Sequence, residues 1–253
     1  ISDLICKGVL PKYYFISGSG NKKTFTHKNL SKISNSLKQE QNKYGIFLCG
    51  GDTTFSNKLS FSITSVGYSK KIIYRNKAKF NDDIYVTGNL GDSFIGLKIL
   101  QKKIQMNRKL QNYFVKKYFK PEIQIKLTKE LIKFANSSID LSDGLIDDLS
   151  KMINRQKLSY QLWEEKIPLS KHLFNYLKKN NLKKSNFISN GDDYQILFTA
   201  GSDKSRIIQN TSKKLGIKIT KIGKIILNNK KSSIITKKGK YLLIKNSGYK
   251  HQF

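Results

Sequence analysis

The sequence is poor in cysteine, proline and acidic residues. Its 253 residues include two Cys, three Pro and 17 Asp or Glu, against 48 Lys or Arg. With three scattered histidines, the two cysteines show neither a CxxC nor an HExxH spacing, so nothing indicates a zinc site or a disulfide framework. Apolar runs stay far below the roughly 18 residues that a membrane span needs. We therefore expect a globular, cytoplasmic protein with no membrane partner.

Arginine is also scarce, although the formal net charge is +31. Only four residues are Arg, whereas proteins that bind nucleic acids favour the guanidinium for its bidentate contacts with phosphates and base edges. The lysines are spread along the whole chain and do not form one patch. We interpret the charge as that of solvated faces. A basic RNA-binding module stays as the less favoured alternative.

Apolar periodicity predicts an α/β or α+β protein with mixed β-sheets packed by helices. The expected helices are 122–134, 144–153, 170–179 and 203–215, and the expected strands include 84–87, 194–199 and 241–244. Between a first group of elements and the strand at 84–87 lies the basic stretch 70–79. We place a domain boundary there, which divides the chain into 1–79 and 80–253.

A pair of glycines interrupts the stretch "LCGGDTT" at 48–54. The apolar residues 46–49 predict a short strand that ends in a loop at Gly50. Glycines allow backbone amides to approach phosphate oxygens, and Asp52 could hold the accompanying cation. Taken alone, the pattern equally fits a glycine turn with an Asp cap.

Acidic residues gather in "SSIDLSDGLIDDLSKMI", just before a predicted helix. Asp140 and Asp143 fall at a strand exit and at the helix start, where two carboxylates can share a hard cation. The simpler alternative is that Asp143 and Ser142 cap the helix. Asp147 and Asp148 lie further into the helix, and we expect them on its solvated face.

No phosphate-binding loop of the usual kind is present. The segment "SGSGNKKT" (17–24) lacks the Gly-Lys-Thr ending of a P-loop, and "GNLGDSFIG" does not match GxGxxG. Carboxylates at strand exits, glycine turns and the absence of a nucleophile together indicate a Mg²⁺-nucleotide site. In such a site catalysis is positioning plus charge neutralisation.

Read in order, five segments carry a family resemblance: "ISDLICKG", "LCGGDTT", "IYVTGNLGDSFIGL", "IDLSDGLIDDL" and "NGDDYQILFT". Each is weak alone, but their order and spacing over essentially the whole chain are specific. The sequence resembles the thiamine-monophosphate kinases of the PurM-like superfamily. The resemblance implies a two-domain PurM-like fold, with an ATP- and metal-binding N-terminal domain in 1–79 and an α/β domain in 80–253.

The resemblance also implies an activity. It is the ATP-dependent phosphorylation of thiamine monophosphate to thiamine diphosphate, by direct in-line transfer with several Mg²⁺ ions. No side chain would act as nucleophile or general base, and the protein would be a homodimer paired through its N-terminal domains. Other PurM-like enzymes, of the aminoimidazole ribonucleotide or selenophosphate synthetase type, stay as near alternatives.

Roles follow from the resemblance residue by residue. The implied magnesium ligands are Asp3, Asp52, Asp140 and Asp143. The implied ATP contacts are Gly51, Asp52, Arg75 and Ser142, with Arg75 aligned across a one-residue gap. The implied contacts with thiamine monophosphate are Asp192 and Tyr249.

The sequence departs from the family pattern in several places. Asp192 stands where the family has Glu, Phe55 where Arg is common, and Asn190 where the family has Gly. The chain opens at Ile1 directly in motif-like sequence, so we expect that a segment carrying further metal ligands precedes it. For the 253 residues alone we expect an incomplete metal cluster, an exposed sheet edge, aggregation and little activity.

Overall fold

The computed structural model of the chain describes residues 1–242 and 248. In these residues the elements form two separate sheets, one of three strands and one of seven. Both sheets mix parallel and antiparallel neighbours and are packed by helices. The predicted fold class is therefore confirmed.

The smaller sheet is built from the first third of the chain. Its strand order is β2-β1-β3, with β1 parallel to β2 and antiparallel to β3. The elements are α1 (Ser2–Cys6), β1 (Leu10–Gly20), α2 (His27–Tyr44), β2 (Phe47–Phe55) and β3 (Ser60–Tyr68). Helix α2 begins after Thr26, whose side chain accepts the Asn29 N–H, and ends at the left-handed Gly45.

The larger sheet has the order β10-β9-β6-β8-β4-β7-β5. Its strands are β4 (Asp83–Thr87), β5 (Ser137–Asp140), β6 (Leu158–Trp163), β7 (Ile196–Ala200), β8 (Ile219–Leu227), β9 (Ser233–Ile235) and β10 (Tyr241–Leu242). The α-helices that follow α2 are α3 (Asp92–Leu100), α4 (Arg108–Phe119), α5 (Thr128–Leu131), α6 (Leu145–Ile153), α7 (Lys171–Lys179) and α8 (Ser205–Leu215).

The hydrophobic core covers both faces of the larger sheet. On β4, Ile84 and Val86 belong to a cluster with α6, whereas Tyr85 faces an opposite cluster that contains Phe134 and Phe198. Successive side chains of a strand point to opposite faces, so this alternation means that both faces are covered. Strands β4, β5 and β7 are buried along their whole lengths.

Two of the sequence expectations about elements are wrong. The helix predicted over 122–134 is a 3₁₀ turn, Ile125–Leu127, followed by the single turn of α5. The strand predicted at 46–49 does not end at Gly50, because β2 continues through the glycines to Phe55. Helix α4 was not predicted from the sequence. Among the described residues no helix is both long and apolar enough to cross a membrane.

Candidate active site

Two loops meet at the carboxyl end of β5. The Asp192 N–H donates to the Ser142 carbonyl at 2.9 Å, and the Tyr194 N–H donates to the Leu141 carbonyl at 2.8 Å. Gly191, just before Asp192, has φ +80°, and a Cβ at that position would lie 2.4 Å from the Ser142 carbonyl oxygen. Only glycine fits there, so this residue lets the loop before β7 lie against the loop after β5.

Asp140 ends β5 and is 4% exposed. Helix α1 packs against this strand and brings the Ser2 hydroxyl and the Asp3 carboxylate to Asp140. Burial raises the pKa of Asp140, and the charge of Asp3 raises it further, while the hydrogen bond from Ser2 acts in the opposite direction. Asp3 and Asp140, far apart in sequence, therefore form a close acidic pair.

Positive charge borders this acidic pair. The Lys7 ammonium donates a hydrogen bond to the Ser138 carbonyl, two residues before Asp140. Burial lowers the pKa of Lys7, the nearby Arg75 lowers it too, and Asp140 and Asp3 counteract them. Sequence reasoning missed Lys7. Its position four residues after Asp3 in a helical segment was the available signal, because such residues share one helix face.

A second acidic cluster lies at the start of α6. Ligand oxygens of Asp143, Asp147 and Asp148 lie within 4.8 Å of one another. The Asp148 carboxylate accepts the backbone N–H groups of Asp143 and Gly144 at 2.9 and 3.0 Å, and burial raises its pKa to about 6. The expectation that Asp148 is solvated is wrong, because this side chain caps the beginning of its own helix.

Asp192 is half-buried on the facing loop, with φ +60°. Burial raises the pKa of Asp192, a hydrogen bond from the Tyr194 side chain lowers it, and the charge of Asp143 raises it. The next residue, Asp193, accepts the Gly91 N–H at 2.8 Å, and its burial raises its pKa to about 8. Asp193, which sequence reasoning did not select, thus anchors this loop to the start of α3.

The glycine motif belongs to a strand and not to a loop. Opposite it the pairing register of β1 and β2 shifts, since Tyr14 pairs with Leu48 and Phe15 with Gly50. A Cβ on Gly51 would lie 1.7 Å from the Ile16 carbonyl oxygen. Close approach of two backbones is therefore the structural reason for glycine at position 51.

Asp52 follows these glycines on the exposed edge strand β2. Its carboxylate accepts the N–H of the adjacent Thr53 at 2.7 Å. Among the described contacts, none joins Asp52 to the acidic groups at the end of β5. The structure thus brings together Asp3 and Asp140 as one pair, and Ser142, Asp143 and Asp192 beside them, but it leaves Asp52 on a different sheet.

Tyr249 lies outside the described residues. Its neighbour Gly248 is buried against the second acidic cluster, since a Cβ added to it would lie 2.5 Å from the Asp147 Cβ and 2.9 Å from the Asp143 carbonyl oxygen. Gly248 therefore lies directly against Asp143 and Asp147.

A cavity of about 540 Å³ lies beside the acidic pair. Ser2 and Tyr194 form part of its wall, and both also contact acidic residues of the site. The Tyr14 hydroxyl at this cavity is buried and has no hydrogen-bond partner within the described part of the chain. The remaining apolar lining comes from both parts of the chain: Ile1, Leu37, Ile46, Ile63, Phe119, Pro121 and Ile123.

The donor set of this region suits a hard divalent cation. Carboxylate oxygens are the ligands that Mg²⁺ prefers, and Asp3 and Asp140 already raise each other's energy by repulsion. A bound cation would relieve that repulsion. The residues present therefore fit a magnesium ion in chemistry and in charge.

The fold and the acidic site define a class, the AIR-synthase-related proteins with a PurM-like fold. The family model described as AIR synthase related protein, N-terminal domain, matches residues 1–69. A solved structure described as AaThiL complexed with AMPPCP and TMP aligns with a TM-score of 0.85 at 26% identity, covering 100% of this chain and 77% of the other. The predicted PurM-like fold is thereby confirmed.

Curated relatives narrow the class to one family. The thiamine-monophosphate kinase of Buchnera aphidicola subsp. Schizaphis graminum is 35% identical over 258 residues, which are 99% of this chain and 77% of the relative. That of Buchnera aphidicola subsp. Acyrthosiphon pisum is 37% identical over 257 residues, covering 94% and 76%. The chain belongs to the thiamine-monophosphate kinase family and spans about three quarters of the length of these relatives.

Proposed function

We propose that the protein transfers the γ-phosphoryl group of ATP to the phosphate of thiamine monophosphate, giving ADP and thiamine diphosphate. The observation that carries this function is the pairing of the Asp3 and Asp140 carboxylates next to the loop of Asp143 and Asp192. A family member with the same fold is described as binding AMPPCP and TMP together. The site offers charge and positioning, which are the requirements of in-line phosphoryl transfer.

The proposed magnesium ligands are Asp3, Asp52, Asp140 and Asp143. Bound there, Mg²⁺ would neutralise the anionic oxygens of the two substrates, which otherwise repel each other. Asp3 and Asp140 would provide adjoining oxygens from α1 and β5. Asp52 would approach from β2, which means that the nucleotide lies between the two sheets.

On the nucleotide, Gly51 and Asp52 would meet ATP from β2, and Ser142 from the loop after β5. Arg75 is exposed, and its charge acts on the nearby Lys7, so its guanidinium would donate two parallel hydrogen bonds to a phosphate on this side of the site. The Lys7 ammonium, which donates to the Ser138 carbonyl, would add positive charge on the same side. These cations would hold the phosphate tail of ATP against the carboxylate-bound metal.

The acceptor substrate would be held by Asp192 and Tyr249. Thiamine monophosphate carries a cationic thiazolium ring, which a carboxylate attracts through charge and an aromatic face attracts through cation–π interaction. Asp192 is shorter than the Glu that the family has at this position. Its left-handed backbone and the hydrogen bond from the Tyr194 side chain hold the Asp192 carboxylate towards Asp143.

We further propose two domains, 1–79 and 80–253, and a homodimer. Support for the boundary comes from the gap between β3, which ends at Tyr68, and β4, which begins at Asp83. Support for the dimer comes from exposed apolar side chains on the small sheet, such as Phe47, Phe55 and Ile63. A cytoplasmic location stays a prediction.

The decisive experiment measures thiamine diphosphate formed by the purified gene product from ATP, thiamine monophosphate and Mg²⁺. We expect ADP and thiamine diphosphate in equal amounts, and loss of both on chelation of the metal. Replacing thiamine monophosphate by thiamine should abolish the transfer. Hydrolysis of ATP without thiamine diphosphate would overturn the proposal and favour another PurM-like substrate.

A matched pair of variants tests the acceptor site. Asp192→Asn removes a half-buried carboxylate of the site, whereas Asp203→Asn removes an exposed one whose partner is the adjacent Lys204. We expect a raised KM for thiamine monophosphate only in the first. Equal kinetics of the two variants would contradict the role of Asp192.

A further inference from the structure

One lysine lies inside the second acidic cluster. Lys151 projects from α6, and its ammonium bonds to Asp143 Oδ2, lies 2.6 Å from Asp147 Oδ2 and lies 3.9 Å from Asp148 Oδ1. The three carboxylates therefore share one cation that the chain itself supplies. The proposed function assigns no role to this lysine.

The position of the ammonium matters because it bonds to a proposed metal ligand. The oxygens of Asp143, Asp147 and Asp148 lie within 4.8 Å of one another, which is close enough to surround a single ion. A cation already lies among them. A magnesium ion and the Lys151 ammonium cannot use the same oxygen of Asp143 at close range, because the two cations repel each other.

We propose that Lys151 is a resident cation of the Asp143 site and sets its affinity for magnesium as a positioning residue. Asp143 Oδ2 has to exchange the ammonium for the metal before this oxygen can act as a ligand. This inference rests on the proposed function, since that function makes Asp143 a magnesium ligand.

Asp147 provides the alternative partner in this exchange. It lies four residues before Lys151 on α6, a spacing that supports an ion pair along one helix face. The Lys151 side chain is 39% exposed, so it has room to leave Asp143 and keep its contact with Asp147. Asp148, by contrast, remains bonded to the backbone of Asp143 and Gly144 and preserves the loop.

The consequence is opposite for the metal-free and the metal-bound protein. Without metal, the ammonium neutralises repulsion among the carboxylates and holds the loop of Asp143 to α6. With metal, the same ammonium is a competing charge. Removal of Lys151 should therefore weaken the empty protein and strengthen divalent-ion binding.

The test titrates the gene product with Mn²⁺, in the absence of both substrates, and follows free Mn²⁺ by its paramagnetic resonance signal. Lys151→Met keeps an unbranched side chain, one atom shorter, and removes the charge. We expect it to bind Mn²⁺ about five- to tenfold more tightly at the Asp143 site, the effect of one partly solvated charge at contact distance. Lys151→Arg should not gain affinity.

Lys133→Met is the matched control. Lys133 pairs with Glu130 at 2.6 Å on the surface, also at a helical spacing. Its replacement should leave Mn²⁺ binding unchanged. Thermal unfolding adds an independent measurement: Lys151→Met should have the lower midpoint without metal and the larger rise when Mn²⁺ is added.

Asp143→Asn, alone and combined with Lys151→Met, separates the possible failures. If Asp143→Asn leaves Mn²⁺ binding intact, Asp143 is not a metal ligand and the proposed ligand set is wrong. If it weakens binding but Lys151→Met gives no gain, only the inference about Lys151 is wrong. If the double variant binds Mn²⁺ more tightly than Asp143→Asn alone, the gain from removing Lys151 does not depend on Asp143, and this result would also refute the inference about Lys151.

Discussion

The two sheets are made of similar strands but lie in opposite environments. All nine residues of β2 are exposed, and Phe55 on this strand is 81% exposed, whereas every residue of β4, β5 and β7 is buried. The larger sheet has clusters on both faces supplied by the same chain. The smaller sheet has solvent-exposed aromatic side chains. The apolar residues of a sequence segment therefore identify a strand, but they do not show whether other parts of the protein pack against it.

The comparison extends to the site. The acids that the structure brings together belong to α1 and to the loops at the end of β5 and the start of β7, next to the buried sheet. Asp52 belongs to the exposed sheet and has only a local bond. The buried strands β5 and β7 hold the first group in place, whereas the surroundings of Asp52 depend on what packs against β2.

The largest expected effect concerns the core of the larger sheet. Phe198 is fully buried and its ring stacks on Tyr85 at 5.3 Å. Phe198→Ala should lower the free energy of unfolding by about 3–5 kcal/mol because it leaves a cavity. Urea denaturation of the dilute, monomeric protein measures this.

Phe61→Ala on β3 is the matched variant, since Phe61 is 42% exposed. It should cost about 1 kcal/mol or less under the same conditions. Equal losses for the two variants would break the comparison between the sheets.

Asp140→Asn asks whether the end of the buried sheet is the reactive site. We expect kcat to fall about 10²- to 10³-fold, as when one charge-stabilising group is removed from an active site. Stability should not fall, because burial and Asp3 already raise the pKa of Asp140 and disfavour its charge. Turnover and urea midpoints measured on the same preparation distinguish lost chemistry from lost folding.

The buried anchor of the substrate loop should make stability depend on pH. The pKa of Asp193 is raised from 3.8 to about 8 in the folded state, so unfolding releases a proton between these values. The protonated Asp193 contributes its full stabilisation below about pH 4. As the pH rises towards 8 this contribution is lost, and the free energy of unfolding falls by up to about 1.4 kcal/mol per pH unit. Asp193→Asn should flatten the fall in urea midpoint between pH 5 and 8.

Asp148 also has a raised pKa, of about 6, so part of the fall in urea midpoint with pH should remain in Asp193→Asn. Asp203→Asn is the control, because the lowered pKa of Asp203 affects stability only at more acidic pH. A slope that survives Asp193→Asn unchanged would show that this carboxyl is ionised in the folded protein.

The smallest expected effect tests the exposed sheet. Phe47 on β2 and Phe174 on α7 are 53% and 57% exposed, so they form a matched aromatic pair on the two parts of the molecule. Phe47→Asp should raise the dissociation constant of the proposed homodimer about tenfold, and Phe174→Asp should not. Light scattering after size exclusion gives the masses, and a dimer that is indifferent to Phe47→Asp would place its interface elsewhere.

Local patterns were sufficient for much of the fold. Helix α6 follows from the apolar stripe of Leu145, Leu149 and Met152, and β4 from a run of apolar residues. The prediction at 122–134 failed because periodicity does not reveal where a chain bends into a 3₁₀ turn. The loop predicted at Gly50 is wrong because β2 continues through Gly51, whose missing side chain allows backbone contact with β1, a partner that is distant in sequence.

By itself the sequence determined the fold class, the family and the candidate acids, because each of these depends on residue types in a fixed order. Only the tertiary structure decided which acids meet: Asp3 reaches Asp140 through the packing of α1 on β5, and Asp192 faces Asp143 through a loop that only glycine permits. It also decided that Asp148 is a helix cap and that Lys151 lies among the carboxylates. Burial and charge pairing depend on distances in space, which spacing along a chain does not specify.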